Sequence, residues 1–276
     1  MIALIRTEFT KAAWRTRSLV IALLLIGLPT LIVVAINARQ DRPRRDNGEG
    51  LFRLASQSGL LVPAAVLSAT SGFLLIVIAG TLAGDSVASD ASWGNLRYVL
   101  MRPVSRVRLL LSKAFVAGVL IWAATILVTL AALVAGLILF GAHDVTVPGI
   151  GGLVGGFNLS GGALALRVLI ATGYVAFGFS ALLAIGTLFS TLTDTAASAI
   201  GATVGVYIVS EILDSISQLG QVRYAFPTHY FDAWETMFTD NTYSREMVVG
   251  IVVQVAYVVV VGAAAVALFN RKDIRS

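Results

Sequence analysis

Six apolar runs divide this chain: Leu19 to Ile36, Leu60 to Leu82, Leu109 to Phe140, Leu164 to Phe189, Ala196 to Ile212 and Met247 to Phe269. About 20 apolar residues in a helix cross a bilayer, so the pattern predicts an all-α polytopic membrane protein with six transmembrane helices in one domain. Ahead of the first run, Ile5, Phe9, Ala12 and Ala13 share one helical face among Arg6, Lys11, Arg15 and Arg17. That spacing predicts an N-terminal amphipathic helix over residues 1–17, lying in the membrane interface with Trp14 at headgroup depth. The first apolar run is longer than the core of a signal peptide and no small-residue cleavage site follows it, so it reads as a retained span. Pro29 inside it is a tolerated kink, and Pro63 sits close to the start of the second span.

The connections differ in character. Residues 37–59 are polar and rich in Arg, and residues 141–162 are rich in Gly. The second of these fits neither the dinucleotide nor the P-loop spacing, so it reads as a flexible external connection. Ser190 to Thr195 is too short to cross anything, which predicts an antiparallel hairpin of the fourth and fifth spans. Residues 215–246 interleave Tyr224, Phe226, Tyr230, Phe231, Trp234 and Phe238 with Asp232, Glu235 and Asp240. This reads as an external interfacial segment of short amphipathic helices broken at Pro227, or as an ordinary aromatic belt.

Composition agrees with a membrane protein. The chain is 57% apolar and 13% charged, against roughly 25% charged in soluble domains. It has no cysteine, which excludes disulfides and thiolate metal sites. The net charge of +5 arises mainly from the ends and the loops, and suits anionic headgroups of a lipid bilayer better than nucleic acid. With six spans both termini share a side, and that side carries 12 Lys and Arg against 8 on the other. The excess of basic residues predicts that both ends and the stretch between spans two and three are cytoplasmic, in a multi-pass protein of a bacterial-type cell membrane.

That stretch holds Arg97, Arg102, Arg106, Arg108 and Lys113, too many cations for the hydrocarbon. Trp93, Leu96 and Leu100 recur at helical spacing with Arg97 on another face. Pro103 then breaks the helix, and Ser105 is placed to cap the next one. Asp90, Gly94, Leu96, Leu100, the run Pro103-Val104-Ser105-Arg106 and Lys113 resemble the signature of permease subunits of ATP-binding-cassette type-2 (ABC-2) transporters. Phe269, Arg271, Lys272 and Asp273 resemble the end of the same family. Asp90 stands where Glu is usual there, and Ser112 where Gly precedes the Lys. The resemblance implies that residues 83–108 form a cytoplasmic coupling helix seated on an ATPase, with Asp90, Trp93, Gly94, Leu96, Arg97, Leu100, Pro103, Ser105, Arg106 and Lys113 as the coupling residues. It also implies a second permease subunit, two copies of the ATPase, ATP and Mg bound on that partner and none in this chain, and export as the direction.

The chain's own chemistry leaves few alternatives. None of Lys11, Lys113 and Lys272 follows a Gly, so no Walker-type Lys exists here. An ion-coupled secondary transporter needs ionisable groups at mid-membrane, yet Arg167, Asp194 and Glu211 all fall near span ends. An intramembrane serine hydrolase is the remaining alternative, because Gly178-Phe179-Ser180-Ala181 distantly resembles the Gly-x-Ser of rhomboid-type proteases. Its base would have to be His143 or His229, both in loops. Two distant His without Cys are too few to hold zinc. Gly173, Gly178, Gly186, Gly201 and Gly205 are expected to let helices approach closely.

Overall fold

The computed structural model describes residues 2–13, 16–38, 50–92, 105–147, 157–239 and 243–271. Among these the chain forms α1 (Ile2–Ala13), α2 (Thr16–Ala38), α3 (Gly50–Ala55), α4 (Val62–Ser71), α5 (Leu74–Ser92) and α6 (Arg106–Phe140). A small hairpin of β1 (Val145–Val147) and β2 (Phe157–Leu159) follows, then α7 (Gly161–Gly178), α8 (Ser180–Leu192), α9 (Ala196–Ser215), α10 (Thr236–Thr239) and α11 (Arg245–Arg271). Five helices are long and apolar enough to cross a membrane, or six if α4 and α5 count as one bent span. The protein is an all-α polytopic membrane protein.

Five of the six apolar runs lie inside one of these helices or helix pairs, and the second starts two residues before α4. Two of them are not continuous. The second bends by 55° between α4 and α5. Thr70 and Ser71 hydroxyls there donate back to the carbonyls of Val66 and Ser68, at 2.7 and 3.2 Å, just before Gly72. Such back-bonding beside a Gly is a recognised cause of helix bending. The fourth breaks at Phe179, between α7 and α8, and no side chain of Phe179 caps the new helix start. The third is the opposite case: α6 runs for 35 residues, about 50 Å at 1.5 Å per residue, so it projects beyond the hydrocarbon.

Packing is centred on α4 to α8, whose inner faces form one apolar cluster that includes Leu61, Leu67, Ile121, Leu164 and Leu182. A second, smaller cluster joins Val87, Leu109, Leu110, Ala265 and Phe269, and so ties the ends of α5, α6 and α11 together. By contrast α2, α9 and α11 keep most of their surface outside the bundle, with Leu23, Val209 and Val260 exposed. That is what helices facing lipid require.

Three features differ from the sequence reading. The glycine-rich connection contains an antiparallel strand pair in which Val145 faces Leu159, and Asp144 accepts a 2.8 Å hydrogen bond from the Gly161 N–H that docks it on α7. The Arg-rich connection ends in the short helix α3, anchored by buried Leu51 and Leu54. Of the five span glycines, Gly178 and Gly186 do meet neighbours, whereas Gly173, Gly201 and Gly205 have nothing within 4 Å of a built Cβ. Among the described residues, the G-x-x-x-G on α9 therefore meets no other helix.

A Cβ at Gly186 would lie 2.5 Å from the Ala83 Cβ, where α8 crosses α5. Gly186→Leu is expected to destabilise the bundle by about 1–3 kcal/mol or more through overpacking, while Gly205→Leu is tolerated. Thermal unfolding of the two purified variants in detergent checks this.

Candidate functional site

At one end of the bundle the sequence places an unusual amount of charge against apolar helix surfaces. Lys113 lies in the third turn of α6, on the side that faces α5 and α1, and its side chain is only 4% exposed. An ammonium buried that deeply must be paired. Its Nζ lies 2.6 Å from Asp90 Oδ2 as an ion pair and donates to Glu8 Oε2 at 3.0 Å. Three helices distant in sequence thus meet on one cation. Glu8 also accepts from Lys11 at 3.4 Å within α1. A cleft of about 60 Å³ opens beside the pair, with Asp85, Ser86, Ser89 and Val116 in its wall.

The helix ends around this cluster are fixed individually. Ser105 caps α6 as its position in the sequence implies: its φ/ψ of −65/142° is extended and its Oγ accepts from the Arg108 N–H at 3.4 Å. Arg106 turns away from its own helix N-terminus, where the dipole disfavours a cation. It donates to the carbonyls of Phe269 and Asn270, both at 3.3 Å, at the negative C-terminal end of α11. Ser190, fully buried near the end of α8, accepts from the N–H groups of Val87 and Ala88 on α5, both at 2.9 Å. The ends of α1, α5, α6, α8 and α11 are therefore bonded into one assembly.

Of the ten residues singled out from the sequence, the structure brings together Asp90 and Lys113, and places Ser105 and Arg106 nearby as capping groups. Trp93, Gly94, Leu96, Arg97, Leu100 and Pro103 lie outside the described residues. Residues 83–92, the first part of the expected coupling segment, continue α5 as helix, because Asp85 and Asp90 turn into the bundle and Asp90 finds a cation there. Sequence reasoning missed Glu8 and Ser190. A lone acid on the basic helix α1 was the available signal for Glu8; a Ser in a turn carries none.

The other end is built around residues 216–239. Phe231, Trp234 and Phe238 are buried, with Phe231 in edge contact with Phe179 and Tyr207 at 5.1 and 6.1 Å. These aromatics are core residues and not a belt, while Tyr224 stays exposed. Glu235 accepts from the Ser68 hydroxyl at 2.5 Å, and the Arg167 guanidinium donates to the Met237 carbonyl. His229 Nδ1 lies 2.7 Å from Asp214 Oδ1, with Arg223 Nε 3.7 Å from the same oxygen. Packing here desolvates the Asp232 carboxyl and raises it above the usual carboxylate range, although its edge remains open to solvent.

Among the described residues the Ser180 hydroxyl is buried with no hydrogen-bond partner, and the Nδ1 of His229 is engaged with Asp214. Among the described residues no cluster of three His, Asp or Glu is placed to hold a metal ion.

Removing one partner of a buried ion pair leaves the other uncompensated, which costs about 3–5 kcal/mol, whereas replacing both is far milder. Lys113→Met is therefore expected to lower thermal stability sharply, and Asp90→Asn with Lys113→Met to recover most of the loss. Unfolding temperatures of the single and double variants check this.

No curated protein matches the chain. A family described as a protein of unknown function, DUF2705, matches it over residues 51–275, from α3 through the end of α11. This chain belongs to the DUF2705 family.

Proposed function

We propose that the chain is the membrane-spanning permease subunit of an ATP-driven exporter of the ABC-2 type, working with a separate ATPase. The observation that carries this reading is the meeting of Asp90 and Lys113 as a buried ion pair. These two residues open and close the stretch that resembles the ABC-2 signature, so a segment emerging between them is clamped at its base. A push on that segment is delivered to α5, α6 and, through Glu8, α1. The absence of any Gly-Lys pair supports an energy source on a second polypeptide. The excess of Lys and Arg on the side of the two termini supports a cytoplasmic setting for the clamp and an interfacial setting for α1 in the cell membrane.

In this mechanism two permease subunits, identical or sister chains, line a path between them, and two ATPases bind below. Closure of the ATPases around ATP and Mg moves the coupling segment, and the clamp converts that movement into a tilt of α5 and α6. The apolar spans suit an amphipathic or lipid-like cargo, with export as the direction implied by the resemblance.

Affinity purification of the chain from its native membrane, with identification of the bound subunit, tests the reading. The expected result is co-purification of a soluble protein carrying a Walker Lys, in equal number to the permease chains. A chain that purifies alone and moves solute in an ion gradient overturns it in favour of a secondary transporter. Charge reversal at Arg97, or disruption at Gly94 or Pro103, is expected to leave insertion intact and uncouple ATP hydrolysis from transport. Arg97→Glu is the cleaner charge reversal, because Arg106→Glu also removes the cap on α11. Vesicle transport and ATPase rates measured side by side check this.

A further inference from the structure

The break between α7 and α8 leaves backbone N–H groups at the start of α8 without a partner from their own helix, deep in an apolar bundle. One of them, the Ala181 N–H, donates to Gln254 Oε1 at 3.0 Å. The same Gln254 side chain donates from Nε2 to the Pro227 carbonyl at 2.9 Å. Gln254 is 4% exposed on α11, the last long helix, whose sequence around it is almost wholly apolar. A buried polar residue in such a span is costly unless its groups are paired, and here one amide joins three pieces of chain. Beside it the Tyr174 hydroxyl donates to the Tyr230 carbonyl at 2.6 Å. Phe231 packs over Gly178, where a Cβ would come within 2.8 Å of the ring.

The opposite end of α8 is held just as specifically. Ser190 takes the Val87 and Ala88 N–H groups of α5, one turn before Asp90 and its ion pair with Lys113. With 13 residues, α8 is about 20 Å long and continues α7 in one span, Gly161–Leu192. Its Ala181 amide is tied to Pro227 through Gln254, and its last turn is tied by Ser190 to Val87 and Ala88, beside the charged clamp.

We propose that α8 is the transmission rod of this protein, with Ser190 and Gln254 as its two joints, so that opening the Lys113 clamp at one end loosens residues 226–239 at the other. A contiguous chain of bonded elements with two ends able to rearrange is the physical form such coupling takes. The proposal gives the permease reading its internal linkage and rests on that reading for its purpose, but the test needs neither an ATPase nor a substrate.

The chain has no cysteine, so Ala233→Cys, at a buried position of the outer segment, introduces a unique thiol. Its rate of reaction with a maleimide is measured on the purified full chain in nanodiscs, where both faces are open to reagent. Gln254→Leu removes both hydrogen bonds of the amide and is expected to speed labelling at least about tenfold, the factor for losing one well-formed buried hydrogen bond. Gln254→Glu keeps the acceptor for Ala181 but loses the donor to Pro227, and serves the same purpose where the Leu variant fails to fold. Opening the clamp with Asp90→Asn and Lys113→Met is expected to speed labelling of the same thiol, and adding Ser190→Ala to abolish that increase. Labelling that is insensitive to the clamp, or an increase that survives Ser190→Ala, overturns the proposal. Failure of an ATPase to co-purify would overturn the permease reading and leave this result standing.

Discussion

A buried ammonium is among the most expensive groups a bundle of apolar helices can hold, and Lys113 is held because two carboxylates reach it from different parts of the chain. Glu8 comes from α1 and Asp90 from the end of α5, so the full set of contacts forms only when all three helices are in place. The geometry is demanding in a way that apolar contacts are not. Leu109 and Leu110 would accept many neighbours, but Lys113 accepts only a carboxylate at bonding distance. The same constraint explains why α5 continues as helix to Ser92: the charge that appears to end an apolar span is turned inward and neutralised.

A second demand comes from the helix breaks. In an apolar medium every backbone group freed by a break must find a partner inside the protein. At the α4–α5 bend the groups involved are hydroxyls of Thr70 and Ser71 bonding back into their own helix. At the α7–α8 break the partner of the Ala181 N–H is Gln254, from a helix more than seventy residues later. The first arrangement permits a static bend. The second ties the start of α8 to α11 and to Pro227.

Residues 216–239 show how burial depends on where a chain can return. Their aromatics and acids alternate in a way that suits an interface, yet Phe231, Trp234 and Phe238 point into the bundle. They can do so because the α7–α8 break and Gly178 leave a recess at that level, which Phe231 fills. The Ser68–Glu235 and Arg167–Met237 hydrogen bonds then satisfy polar groups that go in with the rings. Tyr224 and Tyr243 remain exposed.

The amino-acid sequence by itself determined the helical class, the approximate limits of each apolar span, the α8–α9 hairpin and the Ser105 cap, because these follow from local run length, periodicity and the chemistry of neighbouring residues. It left open which charges are paired, which glycines touch anything and where the aromatics point. Gly186 and Gly205 look alike in sequence, and only the crossing of α8 with α5 gives one of them a neighbour. Glu8, Ser190 and Gln254 carry no motif, and their roles arise from contacts across as many as 105 positions of chain. Such contacts are decided by the packing of whole helices, since a side chain's partner is whatever the tertiary fold brings within about 3 Å of it.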